Sequence, residues 1–132
     1  MLIRVLHYAP LAVGLGSWTA RESGGQIAVA AITDDVDESV RAEFTTALAD
    51  AVDNTDNALI VDMTRTNFLG MRSALALADV QIHSDLQHRG LLLVPSYPAS
   101  RILAVTGLLE RFRRFPTVQN AVAALRADQA VA

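Results

Sequence analysis

Short apolar runs alternate with helical repeats along this chain. Ile27-Ala28-Val29-Ala30-Ala31-Ile32, Ala58-Leu59-Ile60-Val61-Asp62-Met63 and Leu91-Leu92-Leu93-Val94 are almost continuously apolar and are bounded by turn-forming residues. Runs of that length are too short for helices and predict strands covered on both faces. Between the first two, Val40, Phe44, Leu48 and Val52 recur every four residues and line one face of a helix. The acidic turn from Thr33 to Ser39 precedes it, where orphan amides and the helix dipole favour negative charge. After the second run, a loop from Thr64 to Leu69 leads to a helix beginning near Gly70. Leu75, Ala78, Ile82 and Leu86 make its core face, Asp79, His83 and Gln87 fall between them, and Gly90 is placed as a left-handed cap.

The ends of the chain complete the pattern. Ser17 to Glu22 reads as a short strand joined through Ser23-Gly24-Gly25 in a hairpin to the run at 26–32. Pro95 closes the third apolar run, and a helix follows through Ile102, Leu103 and Val105 to Thr106-Gly107. A basic-aromatic stretch from Glu110 to Pro116 precedes a last helix, capped by Thr117, with Val118, Val122 and Leu125 inward. Strands alternating with helices at these spacings predict parallel crossovers and hence an α/β domain.

With 132 residues, of which 52 % are hydrophobic and 19 % charged, the chain has material for one domain with a proper core. The absence of cysteine excludes disulfides, thiolate metal sites and a cysteine nucleophile. A net charge of −3 means that any nucleic-acid surface would have to be a local patch. All 11 basic residues are arginine, the mark of a GC-rich bacterial coding sequence. The apolar segment 1–16 is interrupted by Arg4, His7, Tyr8 and Pro10, far short of the roughly 20 residues that span a bilayer. It lacks a convincing small-x-small cleavage site. It is therefore expected to be an extra strand or an arm packed on the domain or on a second copy, outside a domain at 17–127. The expected location is cytoplasmic.

The order of Leu59-Ile60-Val61-Asp62-Met63, Phe68-Leu69, a helix starting with small and polar residues, and Gly90-Leu91-Leu92-Leu93-Val94 resembles the STAS domain family. So do Leu103-Ala104-Val105-Thr106-Gly107-Leu108 and the Phe-Pro-Thr-Val segment before the last helix, while Asp35-Val36-Asp37 stands where the family has a Glu-aliphatic-Asp motif. The resemblance runs from about Ser17 to Leu125 and rests on order and spacing rather than on any one piece. It implies a STAS-like single domain: a mixed, mostly parallel sheet of four to five strands packed with about four helices. It also implies a bacterial anti-sigma factor antagonist or a relative of one: a protein-binding module without catalytic activity or cofactor. Such a module docks on an anti-sigma factor that is also a kinase. The kinase reverses docking by phosphorylating a Ser or Thr at the start of the helix after the third strand.

Here the sequence departs from the family. Against the usual Asp-Ser-Ser/Thr-Gly, ungapped alignment sets Gly70, Met71, Arg72 and Ser73, so Arg72 occupies the phosphoacceptor position. A guanidinium cannot take that phosphoryl group, and Ser73 lies about 100° further round the helix. Two functional readings follow: an antagonist released from phosphorylation control, or a subunit with another partner, as in lipid-transport ATPases and signalling assemblies. A third is that Arg72 is simply a solvated first-turn residue. The expected partner surface is Asp35, Asp37, Phe68, Gly70, Met71, Arg72 and Ser73, with Met71 an apolar contact and Arg72 a charge anchor.

The other candidates carry bland alternatives. Asp35 and Asp37 can meet a partner, satisfy helix amides, or both. Asp79 and His83, four apart with His88 nearby, have metal-ligand spacing but lack a third ligand and read better as solvated. Arg111, Arg113 and Arg114 with Phe112 and Phe115 can face nucleic acid or an acidic protein, or fringe the core with their stems. No phosphate-binding glycine loop, nucleophile elbow or zinc signature is present, and neither metal nor nucleic acid is expected. The arm at 1–16 offers a route to a homodimer.

Overall fold

A computed structural model describes residues 3–8 and 27–131, with side chains over 27–128. Among these residues five strands form one sheet in the order β1 (Ile3–Tyr8), β2 (Ile27–Ile32), β3 (Ala58–Met63), β4 (Gly90–Pro95) and β5 (Arg113–Arg114). β1 runs antiparallel to β2, and the other four strands are parallel, with Val29 opposite Ile60 and Ile60 opposite Leu92. The mixed α/β architecture is completed, among the described residues, by four helices: α1 (Arg41–Asp53), α2 (Met71–Leu86), α3 (Tyr97–Val105) and α4 (Val118–Val131).

Strand side chains alternate between faces, so each apolar run serves two cores. Ala28, Ala30, Ile32, Leu59, Val61, Met63, Leu91 and Leu93 face a core shared with Phe44, Leu48, Leu77 and Leu103. Ile27, Val29, Ala58, Ile60, Leu92 and Val94 face the opposite core, closed by Ala121 and Leu125 of α4. Crossovers that all step the same way along the sheet with the same hand put α1, α2 and α3 on one face. The four-residue repeat in α1 behaves as expected: Phe44, Leu48 and Val52 are buried and Val40 half-buried. Thr117 caps α4, its Oγ1 accepting from the Asn120 amide at 3.0 Å.

Three local expectations are corrected. α2 does not bury Leu75, Ile82 and Leu86, which stand exposed, Leu86 at 72 %. Its inward face is Ser73, Ala74, Leu77, Val80 and Ser84, together with Ala76 and Ala78. The helix carries two apolar stripes, and the one with small side chains lets it lie close to α1 and the sheet. Gly90 opens β4, and the left-handed residue after α2 is His88, with φ 58°. The expected hairpin partner of β2 is also replaced: both edges of β2 are filled, by β1 and β3. Residues 3–8 of the expected arm thus pair as a strand on this same chain, while 9–16 and the expected strand 17–22 lie outside the described residues.

Truncating the inward stripe should cost far more than truncating the outward one. Leu77→Ala is expected to lose about 2–5 kcal/mol, and Leu86→Ala no more than about 0.5 kcal/mol in urea unfolding.

Candidate functional site

The carboxyl ends of the parallel strands meet the loop between β3 and α2, and buried hydroxyls hold that loop in place. Thr66 is fully buried; its Oγ1 donates to the Ile32 carbonyl at 3.2 Å and its amide to Met63 at 3.1 Å. The Ser96 hydroxyl donates to the Thr66 carbonyl at 2.6 Å and accepts from Ala99 at 3.1 Å, so the cap of α3 also anchors the loop.

From this anchored loop the chain makes one isolated parallel bridge, Val36 to Leu69. The Val36 amide donates to the Phe68 carbonyl at 2.9 Å, and the Gly70 amide to the Val36 carbonyl at 2.8 Å. These two bonds bring Asp35-Val36-Asp37 against Phe68-Leu69-Gly70, joining two expected site segments that are remote in sequence. Gly70 is the N-cap residue of α2 in an extended conformation, and no side chain caps the helix. A Cβ there would meet the Val36 oxygen at 3.4 Å, an ordinary contact, so close approach does not require glycine.

Around this bridge Phe68 is 51 % and Met71 56 % exposed, both projecting apolar surface from the tip. Arg72 is three-quarters exposed, with one guanidinium nitrogen 3.8 Å from Glu38. An ion pair so open to water contributes little and leaves the cation accessible. Glu38 is engaged more closely by Arg41, at 2.9 Å, and this hydrogen bond, then the charges of Arg41 and Arg72, holds its carboxyl below the usual glutamate value.

Asp37 caps the short 3-10 turn at Glu38–Val40, accepting from the Ser39 hydroxyl and, at 2.9 Å, from the Ser39 amide. The hydroxyl bond foremost lowers its pKa. The capping role foreseen for Asp37 is present, while Asp35 is exposed. Ser73 is 1 % exposed and its hydroxyl has no hydrogen-bond partner, so the hydroxyl nearest the acceptor position points into the protein.

The remaining candidates are placed apart from the tip. His83 pairs through Nε2 with Asp53 of α1 at 2.7 Å, and Asp79 is exposed. Among the described residues no three potential ligands group together. Phe112 is buried and Phe115 half-buried; Arg113 pairs with Asp128 at 2.8 Å and lies over the Phe115 ring, and Arg114 faces Glu110 at 3.4 Å. Arg113 and Arg114 fringe the core, each with a carboxylate beside it. Two contributors escaped sequence reasoning. Glu38 sat inside an acidic run with nothing to distinguish it, and the outer face of α3, with Ile102 and Val105, was read only as helix.

The sequence matches no family model and no curated protein. Solved structures do match. An anti-sigma factor antagonist from Mycobacterium paratuberculosis is 22 % identical over 95 % of this chain and 95 % of its own, with a TM-score of 0.67. The anti-sigma factor antagonist SpoIIAA, in its unphosphorylated form, is 14 % identical over 76 % of this chain and 89 % of its own, at 0.64. The fold is STAS-like. A STAS-like fold also occurs within SLC26A9, where 15 % identity and a TM-score of 0.71 cover 81 % of this chain but 21 % of that one. In this chain's STAS-like fold, no helix among the described residues is long and apolar enough to cross a membrane.

Two outcomes follow from the geometry. A buried hydroxyl without a partner is unfavourable, so Ser73→Ala should raise unfolding stability by about 1 kcal/mol; a loss of that size would reveal a hidden bond. Asp37 and Glu38 should titrate below their ordinary values of 3.8 and 4.5 in carboxyl NMR. Both shifts are downward, so the interactions of this turn persist above that range and are lost as acid takes the pH through the lowered midpoints.

Proposed function

We propose that this protein is a non-catalytic regulatory module of the anti-sigma factor antagonist kind, acting in the cytoplasm by docking the α2 tip on an anti-sigma factor or a related protein. The observation that carries the reading is the tip itself. Phe68 and Met71 offer apolar anchors beside the exposed Arg72 guanidinium, all set by the bridge between Val36 and Leu69. Exposed apolar side chains beside an arginine are the kind of cluster from which interface hot spots are built. Similarity of fold to anti-sigma factor antagonists supports the same reading.

The tip is not switched by phosphorylation of a Ser or Thr in the first turn of α2. Position 72 is arginine, and Ser73 is enclosed without a hydroxyl partner. Elsewhere, adding about −1.5 to −2 charge at a docking surface alters affinity through local electrostatics; here the corresponding position holds a permanent positive charge. A second reading, a structural subunit held within a larger assembly, is favoured by the match to one part of the much longer SLC26A9 chain.

Binding of a host anti-sigma factor to the wild-type chain and to Met71→Asp, measured by calorimetry, tests the proposal. Loss of a central apolar anchor should weaken binding by about tenfold or more. Equal affinity for the two chains, or no binding by either, would overturn it. Incubation with the cognate kinase and ATP should leave the wild type unlabelled and label Arg72→Ser. Phosphate on Ser73 of the wild type would contradict the account.

A further inference from the structure

Beside the tip, a groove of about 310 Å³ runs between the loop that carries Asn67, Phe68 and Leu69 and the outer face of α3. Its far wall is Pro98, Arg101, Ile102 and Val105. Those four follow the i, i+3, i+4, i+7 spacing of a single helix face. Val105 is 74 % exposed, and with Phe68 opposite it leaves apolar surface open on both walls. The charge of the groove is one-sided. Arg101, with its guanidinium over the Tyr97 ring at 5.8 Å, is the only charged residue in the lining. Arg65 lies two residues before the Asn67 edge and Arg72 four beyond Phe68, and no carboxylate lines the groove. Among the described residues no carboxylate pairs with Arg65 or Arg101. The acidic residues of the tip, Asp34, Asp35, Asp37 and Glu38, belong to the other segment, before α1.

We propose that this groove takes an amphipathic helical segment of the partner protein, with apolar side chains seated between Phe68 and Val105 and carboxylates on its flank facing Arg101. The inference rests on the protein-docking reading of the tip and adds the chemistry of what docks. A helix is the fitting shape because one wall is itself a helix face, against which another helix packs ridge into groove. An acidic flank is the fitting charge because an arginine without a carboxylate partner selects opposite charge and repels a basic segment. At about 310 Å³ the groove lies at the small end of ligand-pocket volumes and has room for one or two large side chains.

The test uses the full chain and two synthetic 12-residue helical peptides with identical leucine positions, one flanked by Glu and the other by Lys. The Glu peptide should bind about tenfold tighter than the Lys peptide at low salt. Val105→Asp should abolish that binding, and Arg101→Ala should remove most of the difference between the peptides. Asp85→Ala, exposed at the far end of α2 and outside both tip and groove, should leave both affinities unchanged. Equal affinity for the two peptides, or Glu-peptide binding untouched by Val105→Asp, would overturn the proposal. If an anti-sigma factor binds while the Glu peptide does not, the groove is wrong and the antagonist reading stands. If the Glu peptide seats as described while no anti-sigma factor binds, the groove stands and the antagonist reading falls.

Discussion

Two backbone hydrogen bonds, from Val36 to Phe68 and from Gly70 to Val36, make the end of this molecule at the start of α2 one surface instead of two loops. Each loop leaves the sheet separately, one after β2 and one after β3, and nothing in their sequences requires them to touch. The bridge is reinforced from below, because Thr66 ties the second loop to the end of β2 and Ser96 ties it to the start of α3. Leu69, buried in the main core directly beside Phe68, converts this anchoring into a direction for the exposed ring. The exposed apolar side chains of the tip thus stand on a hydrogen-bonded frame rather than on a free loop, and in the proposed docking such a frame reduces the entropy lost.

Charge is divided across that frame. The segment before α1 is acidic and partly self-neutralised by Arg41, whereas the start of α2 and the face of α3 carry arginines with few partners. A permanent cation in the first turn of α2 is mildly opposed by the helix dipole, and the 3.8 Å approach to Glu38 offsets only part of that. The arrangement favours a partner that supplies carboxylates.

Much of the fold was legible because its signals are strong and local. Three nearly unbroken apolar runs could only be covered strands, the α1 repeat had one apolar stripe, and Thr117 and Gly107 punctuated their helices as those residue types do. α2 was misread on its inward face because it has two apolar stripes, and a single sequence does not say which one the sheet takes. The small residues Ala74 and Ala78 carried that information, through the close packing they permit, but the larger leucines drew the assignment. His88 took the left-handed position in place of Gly90 because α2 ends at Leu86 with Gln87 as its C-cap, and Gly90 is already the first residue of β4. At the site, segment identities were readable but their contact was not. A single bridge between residues 36 and 69 leaves no periodic trace, and the burial of Ser73 depends on the same choice of helix face.

The most direct measurement is backbone amide hydrogen exchange on the full chain with and without its bound protein partner. The account predicts new protection concentrated at 35–39 and 68–75, with the amides of α4 unchanged. Protection confined to α4 or to β5, with the α2 tip exchanging as in the free protein, would contradict it.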